Sequence, residues 1–505
     1  DSLNWIENMR VAMDTVIECD KLCEGSICYT GDISNPKRNK YNLKYYLSLG
    51  KEIQASGAHI LGIKDMAGLL KPQAAKTLIG ALKEEVGLPI HLHTHDTSGI
   101  ASATILAAAE AGVDAADVAM DAFSGGTSQP CFGTIVEALK QTDRDTNIDV
   151  DAVREISDYW EGVRRQYFAF ESGLPSPASE VYLHEMPGGQ FTNLKAQANS
   201  LGLGEKWPEI ARTYSDVNTM FGDIVKVTPS SKVIGDMALM MVSQNLTIRQ
   251  VEDPKIEIAF PDSVIDMLKG NLGQPPGGFP KKLIKKVLKG KSPNLNRPGF
   301  HLSPIDLEEK RKEVSEALNG FVVDDEDLNG YLMYPKLFID YMKRHEKYGP
   351  VRTLPTKIFF YGMDPMEEIS VEIDPGKILE IRLDAISETN EMGIVNVFFE
   401  LNGQPRVIRV PNRLSELAHS TRLKAEVGNT NHVGAPVPGI VASIAVKTGQ
   451  KVKPSDLLLT IESMKMETAI HSDRVAIVKN IHVNSGHQID SKDLLIEFEQ
   501  LAPKV

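Results

Sequence analysis

The stretch Gly439–Glu462 reads GIVASIAVKTGQKVKPSDLLLTIE, and Ala476–Glu499 reads AIVKNIHVNSGHQIDSKDLLIEFE. Shifted by 37 positions, the two agree at nine of 24 places. Each alternates apolar and polar residues and breaks at a glycine, Gly449 or Gly486. A period of two sorts side chains onto the two faces of a strand, and glycine supplies the turn. The expectation is strand–turn–strand written twice, a small pseudo-symmetric β-sandwich. Between the copies stands Met464-Lys465-Met466-Glu467. A connecting hairpin there would push Lys465 into solvent. Most surface lysines are only solvated charges, but an exposed amine on a rigid two-fold module suits the tether of a swinging prosthetic group.

The rest of the chain sets bounds on the company this module keeps. At 505 residues it is too long for one core and predicts three or four domains. With 42% hydrophobic and 24% charged residues it has an ordinary globular composition. A formal charge of −13 argues against general nucleic-acid binding. No apolar run approaches the length of a membrane span. Cys19, Cys23, Cys28 and Cys131 match no zinc-ligand spacing and read as reduced thiols. The first residue is Asp1, not methionine, which reads as a fragment or a processed product.

The first 135 residues have a regular beat. Short apolar runs at Ser26–Tyr29, His59–Ile63, Pro89–His93 and Asp117–Met120 alternate with amphipathic helical stretches at Tyr41–Ser56 and Pro72–Val86. Such spacing predicts four βα units in a parallel sheet. Polar residues cluster at the strand ends: Thr30 and Asp32, Lys64 and Asp65, His93 and His95, and Asp121. In β/α barrels the chemistry collects at those ends. A full barrel needs eight strands, so four make only half of one. From Asp149 to Lys347 the pattern is helical and includes a basic run, Lys281–Lys291, read as a solvated helix face. From Thr356 to Asn412 it turns to strands: TKIFFYGM, EISVEI, KILEIRL, IVNVFFEL and PRVIRV, with Asn402-Gly403 as a hairpin turn. A polar linker then leads to the repeated module, and a mobile tether needs one.

In the third apolar run, His91, His93 and His95 alternate onto one face. Three histidines on one strand end predict a metal site. Lys64, on the neighbouring strand, reads most simply as a partner of Asp65, since a protonated lysine repels a metal. Thr228-Pro229-Ser230-Ser231 reads by itself as a helix N-cap followed by proline.

Glu462-Ser463-Met464-Lys465-Met466, with Pro438-Gly439 upstream, resembles the biotinyl-lysine motif of biotin carboxyl carrier domains. LGIKDMAGLLKP (Leu61–Pro72), HLHTHDTSG (His91–Gly99) and KVTPSSKVIGD (Lys226–Asp236) resemble the carboxyltransferase domain of the pyruvate carboxylase family. The resemblance implies a multidomain chain. Its parts would be half of a (β/α)8 TIM barrel at 1–148, a helical funnel at 149–347, a β-rich allosteric or tetramerisation domain at 348–412, a linker at 413–433, and a duplicated β-sandwich biotinyl (hammerhead) domain at 434–501. It further implies biotin on Lys465 and a divalent metal, zinc or manganese, held by carbamylated Lys64, His93 and His95. Thr228 would relay a proton, and Ser231 and Lys232 would contact biotin. The implied reaction is carboxyl transfer from carboxybiotin to pyruvate, giving oxaloacetate, in a gluconeogenic or anaplerotic role. ATP-dependent biotin carboxylation would belong to a separate biotin carboxylase domain, and a biotin protein ligase would load Lys465. A homo-tetramer is implied, in the bacterial cytoplasm or the mitochondrial matrix. The family's metal-binding aspartate and pyruvate-clamping arginine match no segment of this sequence. The alternatives are an oxaloacetate decarboxylase or transcarboxylase subunit, or a non-catalytic carrier and assembly fragment.

Overall fold

The computed structural model describes residues 1–171, 176–390, 393–412, 423–426, 428–463 and 466–499. Lys465 and most of the expected linker lie outside the described residues. The chain divides into two units, Asp1–Leu302 and Ser303–Val505.

In the first unit the βα beat is realised. Strands β1 (Glu24–Cys28), β2 (Ile60–Asp65), β3 (Ile90–Thr94) and β4 (Ala115–Ala116) pair in parallel, in sequence order. Between and before them run α1 (Ile6–Glu18), α2 (Leu43–Ala55), α3 (Pro72–Glu85) and α4 (Ala101–Glu110). Helix α3 starts at a proline, which needs no N–H partner there, and buries Leu78, Ile79 and Leu82. Those side chains join Leu61, Ile63, Ile90 and Leu92 of the sheet in one core. Each such fully buried aliphatic side chain stabilises the fold by roughly 1.5–3 kcal/mol. The sheet stays open, and no closed barrel forms among the described residues. The fourth strand departs from expectation. It pairs only at Ala115–Ala116, and Ala119 then bridges Cys131. Asp117 continues the line with its N–H on Leu92 O, but its carboxylate is turned to the histidines of β3.

Nine further helices follow: α5 (Phe132–Leu139), α6 (Val150–Arg165), α7 (Val181–His184), α8 (Gly188–Ser200), α9 (Trp207–Met220), α10 (Ser230–Ser243), α11 (Ile248–Glu252), α12 (Asp262–Leu268) and α13 (Lys281–Val287), counted among the described residues. Leu194, Ile210, Tyr214, Val217, Ile234 and Met237 anchor a second core. Helix α13 buries Leu283 and Val287 and leaves Lys281, Lys282 and Lys285 in solvent, as a solvated basic face should.

The second unit opens with α14 (Leu307–Ala317), α15 (Asp325–Met333), α16 (Pro335–Tyr348) and α17 (Thr356–Tyr361). The last corrects the reading of TKIFFYGM as a strand. Pro355 caps a short helix that Gly362 ends at φ +77°, and local turn chemistry outweighs the β-propensity of Ile358, Phe359 and Phe360. Next comes an antiparallel meander of β5 (Glu368–Asp374), β6 (Lys377–Ile386), β7 (Ile394–Leu401) and β8 (Gln404–Pro411). Leu401 pairs with Gln404 across Asn402-Gly403, both at positive φ (49° and 75°), the geometry that the Asn-Gly pair favours.

The repeated module contains β9 (His432–Gly434), β10 (Gly439–Ile444), β11 (Lys451–Val452), β12 (Leu457–Ser463), β13 (Met466–His471), β14 (Ala476–Ile481), β15 (Gln488–Ile489) and β16 (Leu494–Phe498). The 37-residue shift carries the first residue of β10, β11 and β12 onto the first residue of β14, β15 and β16. Each copy therefore has three strands, not two, the middle one being short. Two four-stranded sheets result, ordered β13-β12-β10-β15 and β11-β14-β16-β9. Each copy lends its short strand to the other copy's sheet. Val441, Leu459, Ile461, Val478, Leu495 and Ile496 fill the core between them.

Candidate functional site

Parallel register sets Cys28, Lys64 and His93 side by side on β1, β2 and β3. Lys64 is exposed, and among the described residues it makes no ion pair. The expected pairing with Asp65 does not form, because neighbouring residues on a strand face opposite sides. Asp65 points inward, fully buried. It accepts the N–H groups of Leu69 (2.8 Å) and Leu70 (2.9 Å) and the Thr94 hydroxyl (2.8 Å), closing the loop that follows Lys64. Burial still raises its carboxyl above the ordinary range, against those hydrogen bonds. Gly68 sits in this loop at φ +69°, and a Cβ there would strike His95 O. The LGIKDMAG and HLHTH segments are thus packed backbone to backbone.

The three histidines do not act alike. His93 Nδ1 lies 2.7 Å from Asp117 Oδ2, and His95 Nδ1 lies 2.6 Å from Thr127 O. Each partner is an acceptor, which places an N–H on Nδ1 in both rings. The two Nε2 atoms face each other at 3.2 Å. His95 is further held neutral: burial lowers its basicity most, and Lys64 and His93 add to that, against the Thr127 carbonyl. His91 stands apart, with Nε2 on Asp117 Oδ1 (2.9 Å) and Nδ1 on Glu24 Oε2 (3.1 Å). Among the described residues no three His, Cys, Asp or Glu side chains converge as a metal cluster. Desolvation raises the Asp117 carboxyl, but hydrogen bonds from His93 and His91 outweigh it and hold the group below its ordinary value.

Helix α8 starts beside this pair. Its first residue, Gly188, donates to Met66 O, and a Cβ there would meet Thr127 O at 2.8 Å and His95 Nδ1 at 3.0 Å. The Lys226–Asp236 segment is tied to the sheet through Lys226, whose ammonium reaches Thr30 Oγ1 (3.1 Å) and Glu185 Oε2 (2.8 Å). Glu185 also takes Arg38 at 2.7 Å. Burial raises its carboxyl, and the two cations more than offset this, so it stays ionised.

Two residues on, Thr228 is exposed. It is not the expected N-cap: α10 begins after Pro229, with no side-chain cap. Ser230 instead ties down the turn before the helix, its hydroxyl lying 2.7 Å from both Val225 O and Val227 O as donor. Ser231 is fully buried, with no hydrogen-bond partner for its hydroxyl, while Lys232 is exposed. Asp117, Lys226 and Glu185 were not singled out by sequence reasoning. Asp117 was legible only as the start of an apolar run, and Lys226 only as the first letter of a motif.

Comparison with known proteins now adds to this geometry. Residues 10–159 match the HMGL-like family, 181–382 the family of the conserved carboxylase domain, and 431–498 the family of biotin-requiring enzymes. Pyruvate carboxylase of Bacillus subtilis is 49% identical over 500 residues, and the mitochondrial pyruvate carboxylase of Homo sapiens 42% over 502. Each alignment takes in 99% of this chain but only 44% and 42% of the relative, so the chain spans less than half the length of the curated relatives it matches. The complete multifunctional pyruvate carboxylase of Rhizobium etli superposes with a TM-score of 0.79 at 57% identity, over 98% of this chain and 46% of that one. The carboxyl transferase domain of that protein, solved with pyruvate and biocytin, superposes with a TM-score of 0.79 at 60% identity, over 82% of this chain and 70% of that domain. With an HMGL-like sheet, a conserved carboxylase domain and a biotin-requiring module in one order, the chain belongs to the pyruvate carboxylase family, as its carboxyltransferase and carrier part.

Proposed function

We propose that this chain carries out the second half of a biotin-dependent carboxylation, moving a carboxyl group from biotin to the methyl carbon of pyruvate and giving oxaloacetate. The observation that carries the proposal is the pair of imidazole Nε2 atoms 3.2 Å apart, each with its Nδ1 already committed. At that distance the two nitrogens either share a proton or flank a cation. Zinc or manganese suits such a donor set, with His93 and His95 as ligands. Lys64, beside His93 in register, supplies a carboxylate once carbamylated, which removes the charge objection. A bound divalent ion would stabilise the developing enolate. Biotin on Lys465 would bring the carboxyl group at high effective concentration.

The chain's own side chains do the rest. Thr228 is free to rotate its hydroxyl, giving one proton while accepting another. Lys232 has an exposed ammonium on the first turn of α10, suited to the polar end of biotin, and Ser231 beside it holds an unpaired buried hydroxyl that would join the contact once uncovered. In this reading 149–347 form a helical funnel, 348–412 an allosteric or tetramerisation domain, and 434–501 a hammerhead carrier. A biotin carboxylase domain, a biotin protein ligase and a homo-tetramer complete the system, in the cytoplasm or the mitochondrial matrix. No helix among the described residues is long and apolar enough to cross a membrane.

The test uses the natural full-length polypeptide that carries this chain. Thr228→Ala should lower oxaloacetate formation by about 10²–10⁴-fold, the usual share of a positioned proton relay, with metal content unchanged. Loss of metal in that variant would overturn the relay. His93→Ala should release the metal, and full retention would overturn the ligand assignment. Transfer from methylmalonyl-CoA in place of oxaloacetate formation would point to a transcarboxylase subunit.

A further inference from the structure

His91 is the histidine that the proposed metal pair leaves over, and its surroundings give it a task. Its Nε2 meets Asp117 Oδ1 at 2.9 Å, while the other oxygen of Asp117 takes His93 Nδ1 at 2.7 Å. Its Nδ1 meets Glu24 Oε1 and Oε2 at 3.2 and 3.1 Å. Glu24, His91, Asp117 and His93 thus form one hydrogen-bonded line that runs from β1, through β3 and the end of β4, and back to β3. The line has to cross β2, and it does so at Gly62. Register places Gly62 between Ser26 and His91. A Cβ on Gly62 would strike Glu24 Oε1 and come within 2.5 Å of Ser26 Oγ. The missing side chain is the opening through which Glu24 reaches His91.

We propose that Asp117 is a positioning residue for the metal ligand His93, held in turn by His91 and Glu24 through the space left at Gly62. The proposal rests on the reading of His93 as a ligand. A ligating histidine that donates its other N–H to a carboxylate is fixed in tautomer and ring angle and is a stronger donor. His95 has no such dependence, because its Nδ1–H goes to a main-chain carbonyl that no substitution removes. The two ligands therefore differ in how they can be disturbed, and only His93 is supported by a removable side chain.

The experiment measures Zn²⁺ and Co²⁺ affinity by chelator competition, and the visible spectrum of the Co²⁺ form at saturation, in the natural full-length polypeptide. Asp117→Ala should weaken metal binding by ~10–100-fold, the usual effect of removing such a partner. Its cobalt bands should shift even at full occupancy, which a merely structural lesion would not produce in a folded protein. His91→Phe should weaken binding less, because Asp117 stays in place without its strut. If Asp117→Ala fails to fold, Asp117→Asn carries the test. Its amide oxygen can accept the His93 N–H but bears no charge, so affinity should fall by several-fold with shifted bands. Wild-type affinity and spectrum in the folded Asp117 variant would overturn the proposal. His93→Ala separates the two layers. Retention of metal there sinks the ligand reading itself. Loss of metal there, with undisturbed Asp117 variants, sinks the positioning role alone.

Discussion

In the unit Asp1–Leu302, charged side chains are taken into the interior, whereas the carrier module of the second unit keeps an almost wholly apolar core. Asp65, Glu185 and Lys226 are all buried in the first. Among the described residues of the carrier, only Ser472 and Asp493 are buried polar groups, and Asp493 is met by Lys424 at 2.6 Å. The difference follows from what each must do. A carrier has to hold a rigid shape and present one amine, and apolar packing suffices for that. The first unit holds the rings of His93 and His95 through fixed polar partners, and buried charges such as Glu185 and Lys226 are kept there at a cost in stability.

The contrast can be broken at several points. The largest effect is expected at Lys465. Lys465→Arg should abolish biotinylation outright, read as loss of streptavidin binding, with the melting of the carrier unchanged. A persistent signal would move the attachment site. Next comes the buried network. Lys226→Met leaves Glu185 buried with only Arg38 as partner and should destabilise the first unit by roughly 3–5 kcal/mol in urea unfolding. Adding Glu185→Leu should recover much of that, and a double variant as unstable as the single one would refute the network.

A smaller, pH-dependent effect belongs to His184. Its Nδ1 accepts the N–H of Met186 at 3.0 Å, and burial pushes its pKa down to about 4. The unfolded chain binds that proton first, near pH 6.5. The contribution is therefore complete above that pH and is lost as pH falls towards 4, by roughly 3 kcal/mol at about 1.4 kcal/mol per unit. Urea titrations of His184→Gln should show a flatter acid limb, and an unchanged slope would refute the assignment. The smallest effect is a gain. Gly80 lies within α3 with nothing within 4 Å of a Cβ, so Gly80→Ala should stabilise the unit by about 0.5–1 kcal/mol in the same unfolding experiment.

These contrasts also mark where the sequence could be read and where it could not. The 37-residue repeat predicted the sandwich, and the structure repeats it strand for strand, because alternation and turn glycines are local signals. The alternation of His91, His93 and His95 was equally visible, but alternation alone cannot tell His91 from the other two. What separates His91 from its neighbours is Glu24, 67 residues away in sequence, reaching across Gly62. TKIFFYGM misled in the other direction, since β-branched and aromatic residues were outvoted by Pro355 and Gly362 at its ends. Lys226 carried no sign of burial in its own sequence context.

Period, turn chemistry and motif spacing were enough to give the parallel βα order, the doubled carrier and the family resemblance, because each depends on residues near one another in the chain. The tautomers of His93 and His95, the burial of Lys226 against Glu185, and the corridor at Gly62 were decided only by the tertiary structure. A hydrogen bond or a buried charge pair is a property of two groups at about 3 Å, and no single stretch of sequence contains both.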